Sequence, residues 1–353
     1  MMLPTRTRLE SFVIVLTFLI LALVRSVTAF NYVADANGTY WGIQDDAPPR
    51  VDTGSIRGTQ IAPGQNPAFS TSINGFGGIR VLVQKTPAPR FNGEVMRGFG
   101  LHFDGVDRFN TTQSVDLGGV TISRLVYINR SANWGRWLDT FTNTTRLPIT
   151  IKVAFGGQSG IGATGANSST VVNTSSGHAM VTPADSWVEV ATPAEGTDMA
   201  GGPQATVLGT MTFAGNWLDD PFNNPLSYSG HEGNFQAYVN TLTLPPAKSK
   251  SLLHFVVLGQ RVTTATSANV RAAVEATATR LVAVPEIRDL TMAEICPIAN
   301  FNLTSLCTDK KLDVVRQPPP PKARAAVTSS SLFQFACCRA ALLQSNLRSF
   351  RER

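Results

Sequence analysis

The predicted fold is decided by residues Gly98–Gly157: GFGLHFDGVDRFNTTQSVDLGGVTISRLVYINRSANWGRWLDTFTNTTRLPITIKVAFGG. Short runs of β-branched and aromatic residues are separated here by clusters of Gly, Asn, Asp and Pro, which is typical of strands joined by turns. Within Leu147–Phe155 apolar residues recur at every second position, so one face of a strand is apolar and the other polar. We expect a half-buried antiparallel strand, paired with Val120–Ile128 across a connection at Trp134–Trp137.

The same period of two recurs along the chain without intervening helical patterns, and this favours a mainly β protein, an antiparallel β-sandwich. Further strands are predicted near Ser186–Ala191, Ala205–Phe213, Asn234–Leu244 and Leu252–Gln260. Helical patterns begin after Arg261. Ser267–Leu281 has an apolar stripe, and Thr291 and Glu294 have the spacing of a capping box, so one or two short C-terminal helices are expected.

The composition divides the chain into five segments. They are a signal peptide (1–29), an N-terminal arm with edge strands (30–79), the β-sandwich (80–261), a helical segment with a disulfide loop (262–308) and a disordered basic tail (309–353). The tail contains a run of four prolines, Pro318–Pro321, and a frame shift or an unspliced segment is an alternative explanation for it.

The first segment has the parts of a secretory signal: early arginines, the apolar run Ser11–Val24 and small residues ending at Ala29. A bilayer requires about 20 apolar residues, so the run predicts export and no stable membrane anchor. Asn-X-Ser/Thr triplets in an exported eukaryotic chain are candidate glycosylation sites. They occur at Asn37, Asn110, Asn129, Asn143, Asn167, Asn173 and Asn302.

The net charge of +6 does not indicate a nucleic-acid partner, because its distribution is uneven. The signal segment contributes +2 and residues 309–353 contribute +6, which leaves residues 30–308 at −2. A basic groove able to neutralise phosphates is therefore not predicted. The oligomeric state is not indicated.

Cys296 and Cys307 are the two cysteines outside the tail, and in an exported chain they are expected to form a disulfide. A metal site requires more ligands, and no two histidines have a spacing that presets one. We therefore predict neither a metal nor a cofactor. His254 lies within an apolar run and is expected to be a core residue with satisfied hydrogen bonds.

Asp52-Thr53-Gly54-Ser55 matches the local signature of an aspartic peptidase. That chemistry needs a second copy of the motif so that two carboxylates share a proton, and the sequence contains none. A solvated turn is the expected structure.

Tryptophans flanked by Asn or Asp suggest a surface on which sugar rings stack. The candidate ligand-binding residues are Trp134, Arg136, Trp137 and Trp217. The alternative is that these tryptophans close the sandwich core. For catalysis the candidates are His231, Glu232 and Asp104, with Asp219 as a further acid, since paired carboxylates could perform glycoside hydrolysis.

The segments DRFN, WGRWLDTFTNTT, VAFGG, NTSSG and ADSW resemble an extracellular β-sandwich module, and DLTMAEICPIANFNLTSLC resembles the join between such a module and a secreted amidase-signature hydrolase. The resemblance covers roughly residues 90–307. It implies amide hydrolysis by a Ser nucleophile, a second Ser and a Lys. No matching motif occurs in the chain, so no catalytic residue carries over, and the reading frame would depart after Lys311.

The function that these features favour is a secreted, non-catalytic β-sandwich module that binds carbohydrate or accompanies an extracellular hydrolase domain. The alternatives are a carbohydrate-active sandwich enzyme with paired carboxylates and a truncated secreted amidase.

Overall fold

The computed structural model describes residues 31–36, 38–46, 52–60, 75–83, 91–159, 170–191, 203–228, 234–259 and 267–308. The predicted signal peptide and basic tail lie outside the described residues. Contacts divide the chain into Met1–Cys307 and Thr308–Arg353, and the fold described below is that of the first unit.

The strands are β1 (Asn31–Ala34), β2 (Tyr40–Ile43), β3 (Ile56–Gln60), β4 (Gly78–Val83), β5 (Leu101–Phe103), β6 (Arg108–Thr111), β7 (Val115–Leu117), β8 (Val120–Ile128), β9 (Trp134–Asn143), β10 (Ile149–Gln158), β11 (Thr170–Thr174), β12 (Trp187–Ala191), β13 (Gln204–Val207), β14 (Phe213–Asn216), β15 (Phe235–Leu244) and β16 (Ser249–Leu258). The helices are α1 (Ser267–Ala283), α2 (Met292–Ile295) and α3 (Thr304–Thr308).

These strands form three antiparallel sheets. The large sheet has nine strands in the order β11-β12-β13-β16-β9-β8-β6-β5, with β7 paired to β8. A four-stranded sheet has the order β14-β15-β10-β4, and a three-stranded sheet has the order β1-β2-β3. The predicted class is confirmed: the protein is mainly β, with antiparallel sheets and short helices near the C-terminal end. The third of these helices, α3, was not expected.

The predicted pairing of Val120–Ile128 with Leu147–Phe155 is wrong. The intervening segment around Trp134 is not a connection but the ten-residue strand β9, which pairs with β8 along its whole length. Strand β10 lies in the four-stranded sheet instead, between β15 and β4. Both faces of β9 are covered, and its sequence therefore shows no alternation of apolar and polar residues. The two tryptophans lie within this strand and not in a connection.

The main core lies between the large sheet and the two smaller sheets. It contains Ile122, Val126 and Phe141 from the large sheet, and Ile151 and Tyr238 from the four-stranded sheet. Trp41 and Ile56 of the three-stranded sheet belong to the same cluster, so the N-terminal strands extend the smaller layer. Burying such side chains contributes roughly 1.5–3 kcal/mol each.

The opposite face of the large sheet is covered by α1 and the segment that follows it. Val274, Ala278 and Leu281 of α1 are completely buried against this face. The predicted disulfide between Cys296 and Cys307 is confirmed, with Cα atoms 5.6 Å apart. Between the two cysteines, the buried Asn300 accepts a hydrogen bond from the Leu253 amide and donates to the carbonyls of Leu208 and Leu253. No helix among the described residues has the length and apolar character needed to cross a membrane.

Candidate functional site

One end of the main core is polar rather than apolar. Seven polar side chains, each at most 6% exposed, face the space between the two layers there. We call this group the polar core site, and its members are Gln204, Thr206, Asn234, Gln236, Tyr238, Asn240 and His254.

The pleat of the strands aims these side chains inward. On β13, Ala205 and Val207 belong to the cluster under α1, so the alternating Gln204 and Thr206 point to the other face. On β15, Ala237 and Val239 belong to the outer cluster of the four-stranded sheet, and Tyr238 belongs to the main core. Gln236 and Asn240 share its face.

The register brings these strands together at the same end of the sandwich. Gln158 at the end of β10 pairs with Phe235 at the start of β15. In the large sheet, Leu258 at the end of β16 pairs with Gln204 at the start of β13. Across the two layers, the Tyr238 side chain approaches Thr206, and Gln204 Nε2 lies 3.4 Å from Thr206 Oγ1.

His254 lies deeper in the same core, stacked on Phe155 with ring centroids 4.1 Å apart and planes at 13°. Neither ring nitrogen has a hydrogen-bond partner, which corrects the expectation of a satisfied core histidine. Burial, with a smaller contribution from the positive charge of Arg124, lowers the pKa of the His254 imidazole to about 3. Burial likewise raises the pKa of the Tyr238 hydroxyl. Both side chains are therefore neutral at physiological pH.

Several atoms of the polar core site are buried without a hydrogen-bond partner. They are Gln204 Oε1, the Tyr238 hydroxyl, Asn240 Oδ1, both side-chain heteroatoms of Asn234 and both ring nitrogens of His254. A buried group left in this state costs about 1–3 kcal/mol, so this end of the core carries an unusual concentration of unpaired polar atoms. Carbonyl oxygen, amide nitrogen and neutral imidazole together can both donate and accept hydrogen bonds.

The sequence did not identify this site because its residues resemble a solvated strand face. Gln236, Tyr238 and Asn240 alternate with Phe235, Ala237 and Val239, and such alternation does not say which face is inside. A usable signal was that the polar face of β15 also carries Leu242 and Leu244, both of which lie in the main core.

Three of the four predicted ligand-binding residues lie inside the protein, so they form no surface on which a sugar could stack. Trp134 packs under α1, and Trp137 donates a hydrogen bond of 2.7 Å to the Gly54 carbonyl. Arg136 is 0% exposed and forms a bidentate ion pair with Asp289, at 2.7 and 2.6 Å. The alternative interpretation, in which the tryptophans close the core, agrees with these positions.

Trp217, the fourth predicted residue, is 8% exposed on the outer side of the four-stranded sheet. The guanidinium of Arg80 lies 4.7 Å from its ring centroid. A Cβ added at Gly78 would lie 3.4 Å from the ring, so Trp217 packs closely against β4. The indole is thus a packed side chain and not an open platform.

The two predicted acids that the structure describes, Asp104 and Asp219, each take part in local contacts. Asp104 Oδ1 accepts hydrogen bonds from the amides of Val106, Asp107 and Arg108, which fixes a turn. Asp219 accepts a hydrogen bond of 3.1 Å from the Asn224 side chain. His231 and Glu232 lie outside the described residues. Among the residues that are described, no group of three or more His, Cys, Asp or Glu is placed to hold a metal ion.

A carboxyl pair that sequence reasoning missed lies on the other face of the large sheet. Glu189 of β12 is completely buried beneath α1, and it contacts Glu275 and Arg271 of that helix. Burial, followed by the hydrogen bond to Glu275, raises the pKa of Glu189 to about 8. Glu189 therefore holds a proton at neutral pH, next to a second carboxyl group. No spacing in the sequence indicates it, because the partners are 86 residues apart.

The segment Asp52–Ser55 is buried and not the solvated turn that we expected. Both carboxylate oxygens of Asp52 accept backbone hydrogen bonds, from the amides of Gly98 and Gly100. The Thr53 carbonyl accepts a hydrogen bond of 2.6 Å from Arg124. The motif is therefore a structural element that ties the N-terminal segment to the large sheet.

The predicted glycosylation sites differ in accessibility. Asn143 is 0% exposed, and its Nδ2 donates hydrogen bonds to the carbonyls of Leu147 and Leu244, at 2.7 and 3.0 Å. A glycan is attached through this nitrogen, so the folded structure contradicts the prediction at Asn143. Asn110 and Asn302 are exposed, and Asn129 and Asn173 are half-buried. Asn37 and Asn167 lie outside the described residues.

No family model and no curated protein matches the sequence. Among solved structures, the chain is similar to a polysaccharide lyase at 13% identity and a TM-score of 0.39, covering 70% of this chain and 35% of that one. It is also similar to a galactose mutarotase-like protein from Lactobacillus casei ATCC 334 at 10% identity and a TM-score of 0.39, covering 65% of this chain and 99% of that one.

These likenesses are too low to carry an inference about a ligand or a reaction. The chain spans about a third of the length of the polysaccharide lyase, at 35%. Neither structure is described as an amidase-signature hydrolase, so the resemblance to the extension of such enzymes stays a prediction.

Proposed function

We propose that the protein is a secreted, non-catalytic β-sandwich module that binds carbohydrate outside the cell. The observation that carries the proposal is the set of unpaired hydrogen-bonding atoms of Gln204, Asn234, Asn240 and His254 within the polar core site. Such atoms require partners, and a molecule rich in hydroxyl groups can supply both donors and acceptors to them.

The surroundings of these atoms also suit a sugar. Phe155 and Tyr238 are neighbours across β10 and β15, and both face the interior beside His254. Aromatic rings supply apolar area to the C–H faces of a sugar, while a few polar groups fix its orientation. Binding sites for small molecules commonly combine these two features.

The non-catalytic part of the proposal is supported by what the candidate acids do. Asp104 and Asp219 hold turns or local side-chain contacts. The Glu189–Glu275 pair favours the alternative, an enzyme with paired carboxylates. Glu189 is an acid with a raised pKa, and a second carboxyl group, that of Glu275, lies beside it. However, carboxyls joined by one hydrogen bond are closer than the ~5–5.5 Å required for retaining glycoside hydrolysis.

The test is calorimetry of the purified, exported protein with neutral mono- and oligosaccharides. We expect binding that is weakened at least tenfold by Gln204→Met, which keeps the side-chain length but removes the amide. Thr243→Val is the matched control, because Thr243 is exposed on β15 and its loss should not change affinity. Every member of the site is shielded from water, so association slower than about 10⁵ M⁻¹ s⁻¹ is expected.

Three outcomes would count against this proposal. Release of reducing ends or unsaturated products from a bound oligosaccharide would make the protein an enzyme. Equal affinity of Gln204→Met and the parent protein would mean that the polar core site holds internal water and that sugar binds elsewhere. A module that accompanies a hydrolase domain without binding sugar would show no heat with any saccharide.

A further inference from the structure

We infer that the N-terminal half of α1, residues 267–275, is a pH-dependent flap. It lies closed on the large sheet while the Glu189–Glu275 carboxyl pair holds a proton, and it opens when both carboxyls are ionised. The inference goes beyond the proposed function and does not depend on carbohydrate binding. Three observations carry it: the contacts of the pair, the charges around the pair and the unequal anchoring of the two halves of α1.

The two carboxyl groups meet beneath the helix. Glu189 of β12 is completely buried, and its side chain contacts that of Glu275 in the middle of α1. Asn173 lies directly opposite Glu189 on β11, and its Nδ2 donates a hydrogen bond of 2.8 Å to Glu275 Oε1. The pair therefore joins two neighbouring strands of the large sheet to the helix.

One cation faces these two carboxyl groups. Arg271, one turn before Glu275, has its Nε 3.3 Å from Glu189 Oε2, and its side chain is 28% exposed. Glu189 Oε1 is buried and accepts no hydrogen bond from a described residue. The side chains of β12, β13 and β16 in the cluster under α1 are apolar: Trp187, Ala205, Val207, Leu253, Phe255 and Val257.

Ionisation of both carboxyls places two negative charges in this contact against one half-exposed cation. Burial, followed by the contact with Glu275, raises the pKa of Glu189 to about 8, whereas a carboxyl exposed by opening titrates near its ordinary value of 4.5. Closing therefore takes up a proton between these values. The equilibrium constant for opening should rise about tenfold per pH unit from 4.5 to 8 and level off above that.

The C-terminal half of α1 is anchored independently of the pair. Ala278 and Leu281 are completely buried against the large sheet. Just beyond the helix, the buried guanidinium of Arg136 donates hydrogen bonds to both carboxylate oxygens of Asp289, at 2.7 and 2.6 Å. These contacts hold the end of the helix on the sheet whatever the state of Glu189.

The N-terminal half depends more strongly on the carboxyl pair. It buries two apolar side chains, those of Val270 and Val274, and its remaining contacts with Glu189 come from Arg271 and Glu275. Repulsion between the carboxylates therefore loosens this half first, and the hinge lies between Glu275 and Ala278.

The experiment is amide hydrogen exchange of the purified full chain from about pH 5 to about pH 9, corrected for the intrinsic exchange rate at each pH. We expect the protection of residues 271–275 to fall at least about tenfold between pH 5 and 8 and then to level off, while that of residues 279–283 changes less than about threefold. Glu189→Gln cannot ionise and should keep residues 271–275 protected throughout. Glu94→Gln is the matched control, because Glu94 is exposed beside the four-stranded sheet, and it should behave like the parent protein.

Three results would overturn the inference: constant protection of residues 271–275, a fall that persists in Glu189→Gln, or an equal fall in both halves of α1. If Glu189→Gln does not fold, Glu275→Gln decides the question. It removes the group that helps to raise the pKa of Glu189, so the fall should level off at a lower pH, and an unchanged profile would contradict the flap. None of these measurements uses a sugar, so the proposed function stands or falls by its own test.

Discussion

Arg124 and Asp139 form a completely buried ion pair between the layers, with Nε to Oδ1 at 2.6 Å and Nη2 to Oδ2 at 2.9 Å. The two residues are directly opposite on β8 and β9. The remaining guanidinium nitrogen of Arg124 donates to the carbonyls of Thr53 and Gly77. One side chain therefore connects the large sheet to the N-terminal segment and to the turn before β4.

Removing one member of this ion pair should lower the free energy of unfolding. Arg124→Met leaves the Asp139 carboxylate buried without a cation, and we expect a loss of about 3–5 kcal/mol in the free energy of unfolding. The double variant Arg124→Met/Asp139→Leu should lose less than Arg124→Met alone. Urea denaturation measures both free energies of unfolding. A double variant less stable than Arg124→Met would show that the unpaired Asp139 carboxylate is not the source of the loss.

The orientation of β10 gives a second test. Ile151 and Val153 are at most 1% exposed, whereas Lys152 between them is half-buried and reaches the Phe222 carbonyl at 3.4 Å. Ile151→Asp and Val153→Asp should each abolish secretion of folded protein, because an unpaired charge would enter the core. Lys152→Gln should be secreted normally. Equal yields of all three variants would contradict the assignment of faces.

The disulfide should stabilise the segment that covers the large sheet. Cys296→Ser with Cys307→Ser removes the cross-link around Asn300, and a loop of this size contributes roughly 2–4 kcal/mol. We expect a lower midpoint of thermal unfolding and faster amide hydrogen exchange at Leu253, whose amide donates to Asn300. Unchanged exchange at Leu253 together with an unchanged midpoint would mean that packing alone holds the segment.

Glu189 should make stability depend on pH. Its folded pKa of about 8 is above the ordinary value of 4.5, so the folded state holds a proton that the unfolded state has lost between these values. The stabilisation from this group is complete below about pH 4.5, and it is lost as the pH rises through about 8. Glu189→Gln should flatten the fall in the thermal midpoint between about pH 4.5 and 8. An equally steep fall of the thermal midpoint with pH in Glu189→Gln would show that other groups cause the pH dependence.

If the chain is exported, we expect the mature protein to have a defined N-terminus. The apolar run Ser11–Val24 is too short to span a bilayer and is followed by small residues, so cleavage after Ala29 is expected. N-terminal sequencing of the protein from the medium of expressing eukaryotic cells should begin at Phe30. Recovery of the chain with Met1 in the membrane fraction would refute this prediction.

The strands were predictable because period-two patterns are local. The bounds of β8 match the prediction, since every second side chain of that strand is buried. Strand pairing was harder to predict, because it depends on which faces are covered. Strand β9 is buried on both sides, and its sequence was therefore interpreted as a connection. The polar core site was missed for the same reason, since only the packing of β13 against β15 shows that Gln204 and Tyr238 point inward.

The burial of Asn143 at the end of β9 has a consequence for the order of events during biosynthesis. In a eukaryotic cell that exports the chain, as we propose, oligosaccharide would be transferred to an acceptor asparagine before the hairpin between β15 and β16 exists to cover it. A glycan at this nitrogen would block its bonds to Leu147 and Leu244, and the sandwich could not close there. Folding and transfer would therefore compete for one atom, and the fraction of unmodified Asn143 in secreted protein would report which is faster.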